Sequence, residues 1–337
     1  MKRFVWILVI VVLAGCSSKE LDENDRSIEK IANNLEIPWA IASDGENFFI
    51  TERNGTIVKI KQDGTKERQR VRLSKSLSNA AEAGLLGFVL QDDFSQSKSA
   101  YAFYTYDENG KPFNRIVTLT YDNNAWHEKA ILLDAVESGS FHHGGRLALS
   151  PEGVLYATIG DGSVPNKAQN PTSFNGKILK LEADGTFTIF SLGHRNPQGL
   201  AWDEKGNLYS SEHGPSANDE LNRIIQGGNY GWPLVEGQET LTGTEAPLLT
   251  SGNNETWAPS GMTFHKGLLY VAALRGEAIL VIDPENMKIV DTIEGYGRIR
   301  DVYSDGDSLF FISNNTDGRG TPSQTDDSLY KINNKPE

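Results

Sequence analysis

The stretch Arg146-Leu147-Ala148-Leu149-Ser150-Pro151-Glu152-Gly153-Val154-Leu155-Tyr156-Ala157 is an apolar run, a short polar corner and a second apolar run. Pro-Glu-Gly fixes a tight turn and the flanking residues suit extended backbone, so the stretch predicts two antiparallel strands. Working outward, the same plan recurs at Trp39–Ile50, at Leu86–Leu90 with Ala100–Tyr104, at Gly199–Ser210, at Gly261–Val271 and at Asp301–Ile312. The mean spacing is roughly 50 residues, the period of a four-stranded propeller blade. Further alternating runs fall between these units, at Thr56–Ile60, Arg115–Thr120, Lys177–Leu181, Ala278–Ile282 and Leu329–Ile332. No segment carries a long helical period. Six units closed in a ring bury their faces against one another and leave only short edges. The expected fold is therefore all-β, a six-bladed β-propeller over residues 28–337.

The N-terminus reads differently. Met1-Lys2-Arg3 precedes an apolar run, Phe4–Ala14, too short to span a membrane, and small residues follow. This predicts an export signal over 1–15. Leu13-Ala14-Gly15-Cys16 resembles the bacterial lipobox, which implies that Cys16 is lipidated. Residues 16–27 then read as a charged, flexible tether. The chain is expected to be exported and anchored to the cell envelope by lipid, at the outer face of the cytoplasmic membrane or the periplasmic side. Cys16 is the only cysteine, so no internal disulfide is available.

The formal net charge is −13, and loss of Met1–Gly15, with Lys2 and Arg3, takes it to −15. So acidic a surface excludes nucleic acid as a partner. The membrane enters only through the lipid anchor.

Function lies in the loops. Gly193–Pro233, GHRNPQGLAWDEKGNLYSSEHGPSANDELNRIIQGGNYGWP, crowds His194, Arg195, Asn196 and Gln198 into one turn and then enters a second polar loop at His213-Gly214-Pro215. Ser140-Phe141-His142-His143-Gly144-Gly145-Arg146 places two imidazoles before a strand, where a base, metal ligands and surface side chains are all open readings. Asp161, in Gly160-Asp161-Gly162, is a turn residue or a functional carboxylate.

The strings GHRNPQGL and EHGPSANDELNRIIQGGNYGWP resemble the signature of the soluble quinoprotein sugar dehydrogenases, the glucose–sorbosone dehydrogenase family that uses pyrroloquinoline quinone (PQQ). The resemblance implies the same propeller. It implies that His142 is the catalytic base, with Asp161 close enough to orient it, and that Arg195 stabilises charge on the quinone with Asn196 beside it. Gly214 and Pro215 are implied to bind Ca²⁺ through backbone carbonyls, with Asp219 as an outer carboxylate or an Asx-turn residue. Arg275, Arg298 and Arg300 are implied to hold the three carboxylates of PQQ, and Thr256 and Trp257 to line the cofactor. The implied reaction oxidises a sugar at C1 and passes electrons to an external acceptor. His143 inherits no role and reads as structural.

Three departures from the pattern bear on the substrate. Glu82 stands where relatives carry a neutral Gln, and a carboxylate beside a trianion is unfavourable unless protonated or paired with an arginine. Phe141 precedes the base in place of an acid. The segment Leu181–Phe187 omits a loop that many relatives have. Two other readings remain open from the residues: a Ca²⁺-dependent lactonase, and a non-catalytic propeller that binds carbohydrate or protein.

Overall fold

The structure, a computed structural model, describes residues 26–334. The signal expected over 1–15, the lipidated Cys16 and the tether as far as residue 25 lie outside the described residues.

The regular structure of the described residues is nearly all strand, and the hairpins form where turn residues interrupt period-2 apolar runs. Three four-stranded antiparallel sheets follow one another along the chain, over 144–192, 197–250 and 259–294. A fourth joins Ile299–Ser304, Leu309–Ser313 and Leu329–Asn334 to the first strand, Arg26–Ala32. That strand begins inside the stretch expected to be tether, because Arg26–Ala32 finds a ladder on Leu329–Asn334. The remaining residues, 38–137, form one eight-stranded sheet rather than two of four. Its halves are joined where Lys66–Arg72 pairs in parallel with Ala125–Glu137, over Arg70–Arg72 and Ala125–His127. The architecture is β-propeller-like.

The strands Pro38–Ser43, Leu85–Leu90, Gly144–Leu149, Pro197–Trp202, Pro259–His265 and Ile299–Ser304 pack against one another in that order, and the last returns to the first. They enclose a central channel. Around it lie apolar layers, the largest built on the fully buried Trp126, which meets Phe49 and Phe88 edge-on.

A polar network closes the channel part-way. Arg146 Nη1 pairs with Asp301 Oδ2 at 3.0 Å, Arg146 Nε donates to the Gln198 carbonyl at 2.8 Å, and the guanidinium carbon lies 4.4 Å from the Trp39 ring centroid. Asp301 Oδ2 also accepts the Ile41 amide at 2.9 Å. Arg146 and Asp301 line a wide, mainly apolar cavity of about 440 Å³. Trp39, Gln198 and Arg300, neighbouring positions on the same strands, line a second cavity of about 270 Å³. The two therefore lie one above the other with this network between them. Of the residues expected to hold the cofactor or do chemistry, Arg300 lines the second cavity and none lines the first.

Candidate active site

His142 is placed by backbone packing. It has φ 63°, and past His143 the backbone is left-handed again at Gly144 and Gly145, with φ 69° and 93°. A Cβ on Gly160 would lie 2.0 Å from the His142 carbonyl oxygen, so only glycine lets the two loops touch. The contact brings His142 Nδ1 to 2.8 Å from Asp161 Oδ1. Asp161 is fully buried, and its carboxylate also accepts the Ser163 amide at 2.8 Å and Trp232 Nε1 at 2.9 Å. A carboxylate can only accept, so Nδ1 donates and Nε2 is left as the free lone pair of the ring. This is the arrangement of a general base with an orienting carboxylate.

Arg195 joins the same group. Its carbonyl accepts the Asp161 amide at 2.8 Å, its own amide donates to Glu212 Oε2 at 2.9 Å, and Nη1 donates to the His213 carbonyl at 3.2 Å. Its guanidinium carbon lies 5.5 Å from the Trp232 ring centroid, and Nε is buried with no protein partner. Asn196 Oδ1 accepts the Gly144 amide at 3.1 Å and so fixes the His142 loop from the other side. His194 is structural: its ring is held between Ser191 Oγ at 2.8 Å and Glu212 at 2.9 Å. His143, with Ser138 Oγ at 2.7 Å and the Ala81 carbonyl at 2.9 Å on its two nitrogens, fits the structural reading.

The 270 Å³ cavity is cationic. Arg53, Arg300 and Arg319 line it with His143, His213, Glu82 and Asp317. Arg298 and Arg300 are both buried. Arg298 Nη2 donates to Asp317 at 2.9 Å, Arg298 Nε has no partner, and Arg300 Nη1 donates to Gln198 Oε1 at 3.0 Å. Glu82 is paired with Arg319 at 2.9 Å, the condition under which a carboxylate is tolerable here. Burial raises its pKa, but His213, Arg319 and the His142 amide outweigh that and hold it down at about 2. Arg275 is exposed and outside the lining of this cavity, which takes Leu274 from that loop instead.

Thr256 reaches the site indirectly. Thr256 Oγ1 donates to Asp219 Oδ2 at 2.8 Å, as do the Trp257 and Ala258 amides at 2.6 and 2.8 Å, while Asp219 Oδ1 accepts the Gly214 amide at 2.9 Å. Asp219 thus ties the loop of residues 256–258 to the Gly214 loop. Gly214 and Pro215 line a small recess with Glu212, Glu220 and Tyr230. Burial, and then the neighbouring Glu212 carboxylate, push the Glu220 carboxyl well above the carboxylate range. Among the described residues no three His, Cys, Asp or Glu side chains gather as a metal cluster, but the oxygen donors of this recess suit a hard cation that would relieve the carboxylate pair.

A family model for glucose / sorbosone dehydrogenase matches residues 35–321. The chain belongs to the glucose/sorbosone dehydrogenase family. The chain is 33% identical over 256 residues to quinoprotein glucose dehydrogenase B of Acinetobacter calcoaceticus, covering 63% of this chain and only 53% of that protein. It is 26% identical over 340 residues to an aldose sugar dehydrogenase of Escherichia coli, covering 85% of this chain and 89% of that one. Among solved structures it superposes on the PQQ-bound aldose sugar dehydrogenase of Streptomyces coelicolor with a TM-score of 0.83 and 33% identity, over 91% of this chain and 98% of the other.

Sequence reasoning about this family member missed Arg53, Asp317 and Arg319, which lie in no motif and meet only through the closed ring. Trp232 could have been found, since it stands next to last in the quoted GGNYGWP run, but nothing local says that its indole reaches Asp161.

Proposed function

We propose that this protein oxidises an aldose at C1 to the lactone, using PQQ with Ca²⁺, and passes the electrons to an external acceptor. The observation that carries the reading is the direct hydrogen-bonded linkage of His142, Asp161 and Arg195 beside an arginine-lined cavity. The fit to PQQ rests on charge and on unmet donors. Arg300, Arg53 and Arg319 answer a trianion, and the buried Nε atoms of Arg195 and Arg298 lack protein partners. PQQ, when bound, supplies a quinone carbon that accepts a hydride.

The chain's own residues do the rest. His142 Nε2 takes the proton of the anomeric hydroxyl as the C1–H pair leaves as hydride, so that C1 becomes the lactone carbonyl. Asp161 keeps the ring in the donating-Nδ1 tautomer and stabilises the imidazolium. Arg195 would hold the quinone end and offset negative charge there. Gly214 and Pro215 would supply carbonyl oxygens to Ca²⁺. The eight-stranded sheet is read as two four-stranded units joined edge to edge, which makes six blades. Export and a lipid at Cys16 would place the reaction outside the cytoplasm.

The test is titration of the domain, without residues 1–16, with PQQ and Ca²⁺, followed by a panel of aldoses while the quinone spectrum is watched. Sugar-dependent reduction that disappears in His142→Ala supports the reading. Failure to bind PQQ would leave a binding propeller in its place.

A further inference from the structure

The first described strand enters the ring at the face away from the site. Arg26 stands opposite Asn334 in the closing ladder, and in the same sheet Ile332 meets Leu309, which meets Ser304. Ser304 lines the wide first cavity, whereas Arg300, towards the other end of its strand, lines the second. Arg26 therefore lies at the end of its sheet remote from the catalytic cavity. In the neighbouring sheet the outermost strand, Lys288–Glu294, starts at that same face, since Lys288 stands opposite Asp283, Ile282 opposite Leu269, and Leu268 opposite His265. Arg26 Nη2 pairs with Asp291 Oδ2 on this strand, and Ile28 packs on the apolar layer that holds Ile293. Beside that ion pair, Met287, Ile289 and Val290 are 51%, 40% and 46% exposed. Nine large apolar side chains are exposed among the described residues; these three fall within four positions, and the other six stand singly. Met287 closes a turn at φ 51°, and a register shift leaves Val290 with no residue opposite, so Ile289 and Val290 are both exposed although adjacent on a strand. Among the described residues no strand pairs with the outer edge of Lys288–Glu294.

We propose that Met287, Ile289 and Val290 rest in the interface of a lipid bilayer and hold the propeller with its catalytic cavity facing away from the membrane. The proposal rests on the lipid anchor at Cys16 given above. Ten residue steps separate Cys16 from Arg26, a span of at most about 35 Å when fully extended, so the lipid keeps this face within reach of the bilayer. Charge around the patch nearly cancels. Lys288 stands opposite Asp283, Arg26 pairs with Asp291, Glu285 pairs with Lys205, Glu29 and Lys30 offset each other, and Glu294 lies at the far end of the strand. Contact is therefore made by apolar area and not by attraction to anionic headgroups. An anchor alone leaves the domain free to turn about its tether, and the patch adds the second contact that fixes which face looks outward.

The test couples the sole cysteine of the chain lacking residues 1–15 to a maleimide lipid in phosphatidylcholine vesicles, with and without phosphatidylglycerol, and follows amide hydrogen exchange by mass spectrometry. Exchange over 287–294 is expected to slow about tenfold on vesicles of either composition, while 274–277, beside the catalytic cavity, exchanges as it does in solution. In the triple variant Met287→Ser, Ile289→Ser, Val290→Ser, whose exposed positions leave the fold intact, the slowing is lost while coupling is unchanged. Unchanged exchange over 287–294 on vesicles, slowing at 274–277 instead, or equal slowing in the triple variant would overturn the proposal. So would slowing that grows with protein concentration in the absence of vesicles, which marks a second copy as the occupant. The mass of the N-terminal peptide from the exported full chain reports lipidation separately. Slowing on coupled vesicles beside an unmodified Cys16 would support the docking face and overturn the lipid-anchor reading.

Discussion

Glu82, with Asp317, carries negative charge into a cavity whose other charged and titratable lining is arginine and histidine, and its carboxyl is held at about 2. A folded-state pKa below the ordinary carboxylate value of about 4.3 means that its stabilising contribution is full above that value and is lost as pH falls through about 2. Glu82 therefore stays charged throughout the range from pH 5 to 8, and no change in PQQ affinity over that range comes from it. Glu82→Gln keeps an acceptor for the His142 amide but releases Arg319. It is expected to tighten PQQ binding about tenfold at low ionic strength, with the gain shrinking in salt, as a titration at two salt concentrations would show. Asp161→Asn is expected to lower turnover by about 10²-fold or more while leaving the PQQ Kd near its original value, read by steady-state rates beside a binding titration. At this scale the sequence is legible where a motif carries the residue. His142, Asp161 and Arg195 stand in motifs and are found together, whereas Arg319 meets Glu82 from the far end of the chain and leaves no local trace. Arg275, also in a motif-like loop, is turned out to solvent, because Leu274 is the residue of that loop at the cavity.

Two elements support the site without touching it. Lys177, fully buried on the strand Lys177–Leu181, donates to the carbonyls of Lys167, Ala168 and Asn175 at 3.0, 2.9 and 2.7 Å. It pins the 3-10 turn Pro165–Gln169 beneath the Asp161 loop. Lys177→Met takes a donor from all three carbonyls, of which Lys167 and Ala168 keep the Asn170 and Gly193 amides while Asn175 keeps none, and is expected to cost about 1–3 kcal/mol, measured by denaturant unfolding. On the strand Pro259–His265, a Cβ at Gly261 would lie 1.6 Å from Asp301 Oδ1 and 2.7 Å from Arg146 Nη2. Gly261→Ala must therefore break or displace the buried ion pair. A loss of about 3 kcal/mol or more is expected, seen as a fall in the unfolding midpoint; an unchanged midpoint would show that the pair is free to shift. The hairpins themselves are legible because alternation and turn chemistry are local. The parallel join of Arg70–Arg72 to Ala125–His127 is not, since three residues of register across a long gap leave no pattern in either strand.

The molecule closes by laying its first described strand, Arg26–Ala32, on its last, Leu329–Asn334, with the ladder running from Arg26–Asn334 to Ala32–Leu329. Neither strand announces this alone; the expectation of a closed ring comes from the repeat, and the choice of closing strand from packing. Removing residues 26–33 opens an edge beside the Ile312 and Leu329 layer and is expected to cost about 3 kcal/mol, with a broader unfolding transition. The same closure sets an order of events. Segments from opposite ends of the described residues must meet, so the ring cannot be completed before Leu329–Asn334 has been made. Until the final strand is released, the nascent protein holds together an array of neighbouring hairpins with one unpaired edge, and that edge is what a chaperone would have to cover.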